Sequence, residues 1–404
     1  MPGKALEGIR ILDLTRILAG PYCSMLFADL GAEVIKIEPP EGEMIRDNPP
    51  CVETGKGGPH DRSRSAYFLS LNRNKYGVTL NLKHPQAVDI LKKLVKDADV
   101  VLENYAPGVM KRLGIDYPVL KEVNPRIVMC SISGFGQWGP SSQKMAFDIV
   151  AQAMSGLMSV TGYPDTPPTK VGTSLGDINA AVHAAFAIMA ALWYRERTGE
   201  GQYIDISMQE AMVSIMEGAV VRWTVGKELL GPIGSHNTNE SPMAAYRCKD
   251  GYIIIGTVGN EHFERFCRAI GKPEWTQEPK YATKGLRWAK KWELAKEIEK
   301  ITTEYTVKEL EEKLDRERVA TSPILNMQQV VEDPHLNTRG YFLEVEHPII
   351  GKAKISGFPF KFSETPGQID RSSPLVGEHN ELILGKYLGL GKEQVGRLKK
   401  EGVI

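Results

Sequence analysis

The sequence predicts an α/β fold built on a doubly wound parallel sheet, and three observations carry that prediction. Short apolar runs alternate with helical patterns through the first half of the chain, the texture of successive βα units. In the segment HPQAVDILKKLVKDA, Ala87, Ile90, Leu91 and Leu94 recur at helical spacing, so one face lies on a sheet and the lysines face water. The chain has 404 residues, 42% of them hydrophobic, which is ample for a buried core and for more than one domain.

The elements follow in order. GIRILDL reads as a strand, and after the break at Gly20-Pro21, YCSMLFADLG reads as a helix closed by Gly31. AEVIKIE, YGVTLNL, VVLEN and RIVMCSIS repeat the strand pattern. Two helices are expected next, one near Phe147 to Leu157 and an alanine-rich one from Ile178 to about Arg197, ended by Gly199. The latter is apolar around most of its circumference, which implies burial in a core or a subunit interface. Beyond about residue 225 the texture changes: AAYRCKDGYIIIG reads as a hairpin, and Lys284 to Arg318 as amphipathic helices. Short strands then return in SPILNM, GYFLEVEH, KAKISG and PFKF. The expected organisation is a large Rossmann-like domain over 1–224, a smaller α+β domain over 225–320, and a segment over 321–404 that rejoins the first.

Fifty basic side chains balance fifty acidic ones, so no global field favours nucleic acid or an anionic membrane. The opening MPGKALEGIRILDL lacks the apolar stretch of a signal peptide. The five cysteines, Cys23, Cys51, Cys130, Cys248 and Cys267, show no CxxC and no zinc spacing, and read as buried thiols of a cytoplasmic protein without a metal site. GxxxxGK[ST], GxSxG and HExxH are absent, as is GxGxxG after the first strand, so a nicotinamide dehydrogenase loses its main support.

Asp177, in SLGDINAAVHAA at the mouth of the alanine-rich helix, invites two readings. It is either an N-cap, accepting a hydrogen bond from an unpaired amide of the first turn, or a reactive carboxylate. Five stretches bear on the choice: LDLTRILAGPYCSMLFADLGAEVIKIE, LENYAPGVMKRLG, SISGFGQWGP, AFDIVAQAMSGLMSVTG and the one around Asp177. Together with PLVGEHN near the C-terminus, and in this order, they resemble the class III coenzyme A transferases, the family that also includes the α-methylacyl-CoA racemases.

The resemblance implies that Asp177 is a nucleophile that splits a thioester, passes through a mixed anhydride and then carries CoA as an aspartyl thioester. An aspartate has an ordinary pKa of about 3.9, so it is expected to be ionised at neutral pH without a base beside it. CoA or an acyl-CoA is then the substrate, with no tightly bound cofactor. The nucleotide is expected at Leu80 and Lys83 of TLNLK, at Asn104, Tyr105 and Ala106 of ENYAPG, and at Arg112, with Lys144 and Arg46 as weaker candidates that read as solvated surface charges. Leu18 stands where oxalate-using members carry Gln, which favours a bulkier, aromatic or branched acid with succinyl-CoA as a donor common in the family. The racemase branch draws its base from a His-Asp pair, and the matching dipeptide here is Phe147-Asp148. Phe147 cannot take a proton and reads as core, and His183 reads as a packed or interface histidine. The family further implies two ring-like chains interlocked as a homodimer, with a heteromer containing a paralogous, non-catalytic subunit as the alternative.

Overall fold

The computed structural model describes residues 3–52 and 64–404. Its central element is a six-stranded sheet of β1 (Arg10–Asp13), β2 (Glu33–Glu38), β3 (Tyr76–Thr79), β4 (Val100–Glu103), β5 (Val128–Ser133) and β6 (Tyr203–Ser207). Every pairing is parallel, and the order is β3-β2-β1-β4-β5-β6. This is the doubly wound order in which strand progression reverses between β1 and β4. Sequence reading found five of these strands and missed β6, whose YIDIS is short and half-buried.

Alternate residues of each inner strand feed opposite faces. Ile11, Val100, Leu102, Val128 and Cys130 enter a core shared with α1 (Ala19–Asp29) and with Ala180, Ala184 and Ile188. Leu12, Val101 and Met129 enter the opposite core, which takes in Ile90, Leu91 and Leu94 and, from the far end of the chain, Ile383, Leu384, Val395, Leu398, Val403 and Ile404. Burial on both faces explains why the strands read as unbroken apolar runs.

The remaining helices up to residue 198 are α2 (Ala66–Asn72), α3 (Pro85–Val95), α4 (Val109–Arg112), α5 (Tyr117–Val123), α6 (Asp148–Met154), α7 (Leu157–Val160) and α8 (Leu175–Thr198). In α3, Pro85 opens the first turn and the His84 ring accepts from the Gln86 amide at 3.2 Å. Among the described residues α8 alone is long and apolar enough to cross a membrane by length and composition. It also buries Arg195, whose guanidinium pairs with Asp99 at 2.7 Å. Its other face is open in this chain: Phe186 is 77% and Trp193 67% exposed.

The chain divides into two compact units, one of 1–157, 171–218 and 336–404, the other of 158–170 and 219–335. The second unit has a three-stranded antiparallel sheet of β7 (Met243–Arg247), β8 (Tyr252–Gly256) and β9 (Ala320–Pro323), packed on Phe263, Phe266, Leu294, Ile298, Leu310 and Leu314. Of the returning strands, β10 (Phe342–His347) and β11 (Gly351–Ser356) form a hairpin. PFKF does not form a strand. Pro359 has no amide to donate, and Phe358, Phe360 and Phe362 instead follow one another ring against ring. Cys51 is exposed, unlike the other four cysteines.

Candidate active site

The cap of α8 bears on the two readings of Asp177. Ser174 occupies the N-cap position and makes no side-chain cap bond. The Gly176 amide instead donates to Oδ1 of Asp148 at 2.8 Å, a carboxylate brought in by the first turn of α6. Asp148 also accepts from Nε2 of Gln152 at 2.8 Å, so it is fully engaged. A side chain at Gly176 would put its Cβ 3.1 Å from Asp148 Oδ1 and 3.3 Å from the Ala151 Cβ, so glycine is what lets α6 approach. Asp177 sits one residue further into the helix and is released from capping.

Its carboxyl environment departs from the sequence expectation. Burial, reinforced by the neighbouring Asp148 charge, pushes the Asp177 carboxyl up to about 7, opposed only by a hydrogen bond from the Ala19 backbone amide. The ordinary aspartate value therefore does not apply, and at neutral pH the group is divided between its two protonation states. A carboxylate of raised basicity is the stronger nucleophile.

The Ala19 amide belongs to the first turn of α1, where no side chain caps the helix and no acidic residue lies in the first turn. Asp177 thus faces the N-terminus of α1, a setting that stabilises negative charge. The turn between β1 and α1 that delivers this amide contains Ile17 at φ 70, a left-handed conformation that a β-branched residue adopts at a cost of about 1–3 kcal/mol.

Side chains gathered around the turn hold much of its backbone. The Thr15 amide donates to Asp13 at 3.0 Å, and the Thr15 carbonyl accepts from Lys36 Nζ at 2.9 Å. Asn104 accepts from the Arg16 amide at 2.9 Å and donates to the Arg16 carbonyl at 2.8 Å. The Ile17 amide donates to Glu43 Oε2 at 2.8 Å. Beneath the turn, burial raises the proton affinity of Asp13, but Lys75 and Lys36 outweigh it and keep that carboxyl ionised.

Leu18 is 7% exposed and packs with Ile45, Phe68 and Leu71. Tyr67 and Ile178 border the same cluster, which makes an apolar wall beside Asp177. Burial raises the Tyr67 hydroxyl pKa, and the charges of Asp177 and Glu43 add to it. Tyr67 was missed by sequence reading because α2 follows a stretch with no periodic signal.

A cavity of about 700 Å³ opens at the carboxyl ends of β1, β2, β3 and β4, across the strand-order reversal. That is where doubly wound sheets bind their ligands. Leu14, Thr15, Arg16, Leu80, Lys83 and Tyr105 are among its lining residues. The Arg16 guanidinium lies 4.8 Å over the Tyr105 ring. Three of the sequence-selected nucleotide residues, Leu80, Lys83 and Tyr105, therefore converge.

The others do not line this cavity. Asn104 is spent on the Arg16 backbone, and Ala106 is exposed. Arg112 is exposed on α4, whose neighbours Val109 and Leu113 do line the cavity. Lys144 is exposed elsewhere. Arg46 is not a surface charge: it is 1% exposed and grips Glu38 through Nε at 2.7 Å and Nη2 at 2.6 Å. Phe147 is not core either; it is 61% exposed at the start of α6. His183 is exposed, with Nδ1 2.9 Å from the Asn179 carbonyl oxygen.

Comparison with known proteins identifies the family. The model of CoA-transferase family III matches residues 6–380. A human succinyl-CoA:glutarate CoA-transferase is 37% identical, with 99% of this chain and 90% of that protein aligned. A formyl-CoA:oxalate CoA-transferase of Streptomyces coelicolor is 36% identical, with all of both chains covered. The crystal structure of a CAIB/BAIF family protein from Brucella suis superposes with a TM-score of 0.84 at 30% identity, over 95% of this chain and 99% of that one. With the family matched from the first strand to the C-terminal helices, and relatives of one enzymatic class aligned along nearly its whole length, the chain belongs to CoA-transferase family III and is a class III CoA-transferase.

Proposed function

We propose that Asp177 is the nucleophile in transfer of CoA from succinyl-CoA to a free carboxylic acid. The observation that carries this reading is the division of labour at the mouth of α8: Asp148 takes the cap, and Asp177 is left facing the Ala19 amide.

The Asp177 carboxylate attacks the thioester carbonyl, and CoA thiolate leaves a mixed anhydride. The thiolate then attacks the aspartyl carbonyl, releasing the donor acid and forming an aspartyl-CoA thioester. The acceptor carboxylate attacks that thioester, giving a second anhydride and thiolate again. Attack of the thiolate on the acceptor's carbonyl yields the new acyl-CoA and restores Asp177. Each tetrahedral intermediate carries an oxyanion, for which the first-turn amides of α1 are suitable donors.

CoA occupies the cavity at the strand ends, with Lys83 and Arg16 supplying charge to its phosphates and Leu80 and Tyr105 its apolar contacts. Asn104 acts there by fixing the turn, and Arg112, between the lining residues Val109 and Leu113, is retained as a contact at the cavity's rim. Relatives named for glutarate and for oxalate lie at nearly the same identity, so overall similarity does not choose the acceptor. The apolar wall of Leu18, Ile178 and Tyr67 supports an acid bulkier than oxalate, with a branched or aromatic body. The exposed apolar face of α8 supports a homodimer.

The test is incubation with succinyl-CoA and a panel of oxalate, glutarate, a branched acid and benzoate, with product thioesters identified by mass. Hydroxylamine trapping then locates the acylated residue, expected in the peptide around Asp177. Turnover by Asp177→Asn at near-normal rate sinks the nucleophile assignment, and solvent-deuterium uptake without an acceptor acid points to the racemase chemistry instead.

A further inference from the structure

We propose that Glu43, backed by Lys36, is a positioning residue of the acyl-transfer centre: it holds the β1–α1 turn in the left-handed conformation that aims the first amides of α1 at Asp177. The proposal rests on Asp177 being the nucleophile.

Glu43 is 4% exposed and Lys36 fully buried, with Nζ and Oε1 2.7 Å apart. A buried ion pair is weak evidence for stability in itself, because apolar side chains of equal volume commonly serve as well. What distinguishes this pair is where its remaining hydrogen bonds go. Glu43 accepts from the Ile17 amide, and Lys36 donates to the Thr15 carbonyl, so both partners end on the turn. The Glu43 amide is in turn tied to Glu38 Oε2 at 3.0 Å, and Glu38 is gripped by Arg46.

Ile17 does not hold φ 70 by its own preference, since a β-branched side chain disfavours it. Without the Glu43 acceptor the residue is free to return to negative φ, which swings Leu18 and Ala19 away. Asp177 then loses its one opposing donor, and the developing oxyanion loses its amide. The geometry therefore assigns Glu43 a role at the reacting centre although it does not touch it.

The experiment measures kcat, KM for succinyl-CoA and the pH profile of kcat/KM for wild type, Glu43→Ala and the double variant Glu43→Ala with Ile17→Gly. Glycine adopts positive φ freely, so it restores the turn without the carboxylate. In Glu43→Ala we expect kcat to fall by about tenfold or more with KM changed far less. Its acidic limb should move to higher pH, while the Asp148 and Tyr67 groups that face Asp177 are unchanged. The double variant should recover much of kcat and return the limb. An unchanged limb, a loss confined to KM, or no recovery in the double variant overturns the proposal. If Glu43→Ala does not fold, Glu43→Met, which fills the volume but offers the Ile17 amide no oxygen, is judged by the same limb and the same rescue. Asp177→Asn serves as the separate control: if it remains active, the nucleophile reading fails, whereas an inactive Asp177→Asn beside a normal Glu43→Ala sinks only the role of Glu43.

Discussion

Replacing Asp177 with Asn should make the protein more stable at neutral and alkaline pH, and by an amount that depends on pH. The folded protein raises this carboxyl from its ordinary value to about 7, chiefly by burial and then by the Asp148 charge. A proton is therefore held more tightly by the folded chain than by the unfolded one. The stability this contributes is fully present below the unfolded pKa of about 3.9 and is lost as pH rises through about 7. Taken at face value the separation is worth roughly 4 kcal/mol; because the side chain is only partly shielded from water, about 2 kcal/mol is the fairer figure. Asparagine never ionises, so the variant escapes that loss. Thermal unfolding followed by calorimetry should show Asp177→Asn ahead of wild type by roughly 2–4 °C at about pH 8, narrowing to less than about one degree near pH 4.5. A gap that is the same at both pH values, or an Asn variant less stable than wild type at pH 8, refutes the argument that the fold bears a desolvated charge at this position.

The same carboxyl should govern rate in the opposite sense, with kcat/KM rising as pH increases through about 7 and levelling off above it; a flat profile between about pH 6 and 8 counts against Asp177. Leu18→Gln should shift the ratio of kcat/KM values for oxalate and a branched acid toward oxalate by about tenfold, read from a competition between the two acids. Lys83→Ala should raise KM for succinyl-CoA several-fold and leave KM for the free acid alone, and equal effects on both remove Lys83 from the nucleotide site. Trp193→Glu on the open face of α8 should convert a dimer to monomer in sedimentation velocity; a wild type that sediments as a monomer at micromolar concentration removes the basis for that test.

How much was legible beforehand differs between sheet and site. Val100, Val101 and Leu102 declare a buried strand because both faces of β4 are covered, and the stripe Ala87, Ile90, Leu91, Leu94 declares α3 because one face alone is covered. Tyr203 to Ser207 alternates only weakly at the sheet edge, and its role is set by neighbours far away in sequence. At the site, Asp177 was visible through its resemblance to a known family, but its altered proton affinity was not. That comes from burial and then from the charge of Asp148, which lies in sequence well before the helix that carries Asp177. Arg46 shows the same limit. A lone arginine in a loop reads as solvated until Glu38 and the Phe68 ring, 3.7 Å from its guanidinium carbon, are known to enclose it.

One core of the large unit is completed by residues from the far end of the chain, and this has a bearing on how the protein is made. Leu12, Val101 and Met129 leave the ribosome early, yet Ile383, Leu384, Val395, Leu398, Val403 and Ile404 that help to cover them emerge far later, with the whole second unit in between. At ordinary elongation speeds the sheet waits roughly half a minute with one oily side covered only in part, by α3 and its neighbours. The nascent chain is thus most exposed to aggregation in the interval before its last two helices appear. Slower translation of the second unit should therefore increase dependence on holding chaperones, even when every residue of the finished enzyme is unchanged.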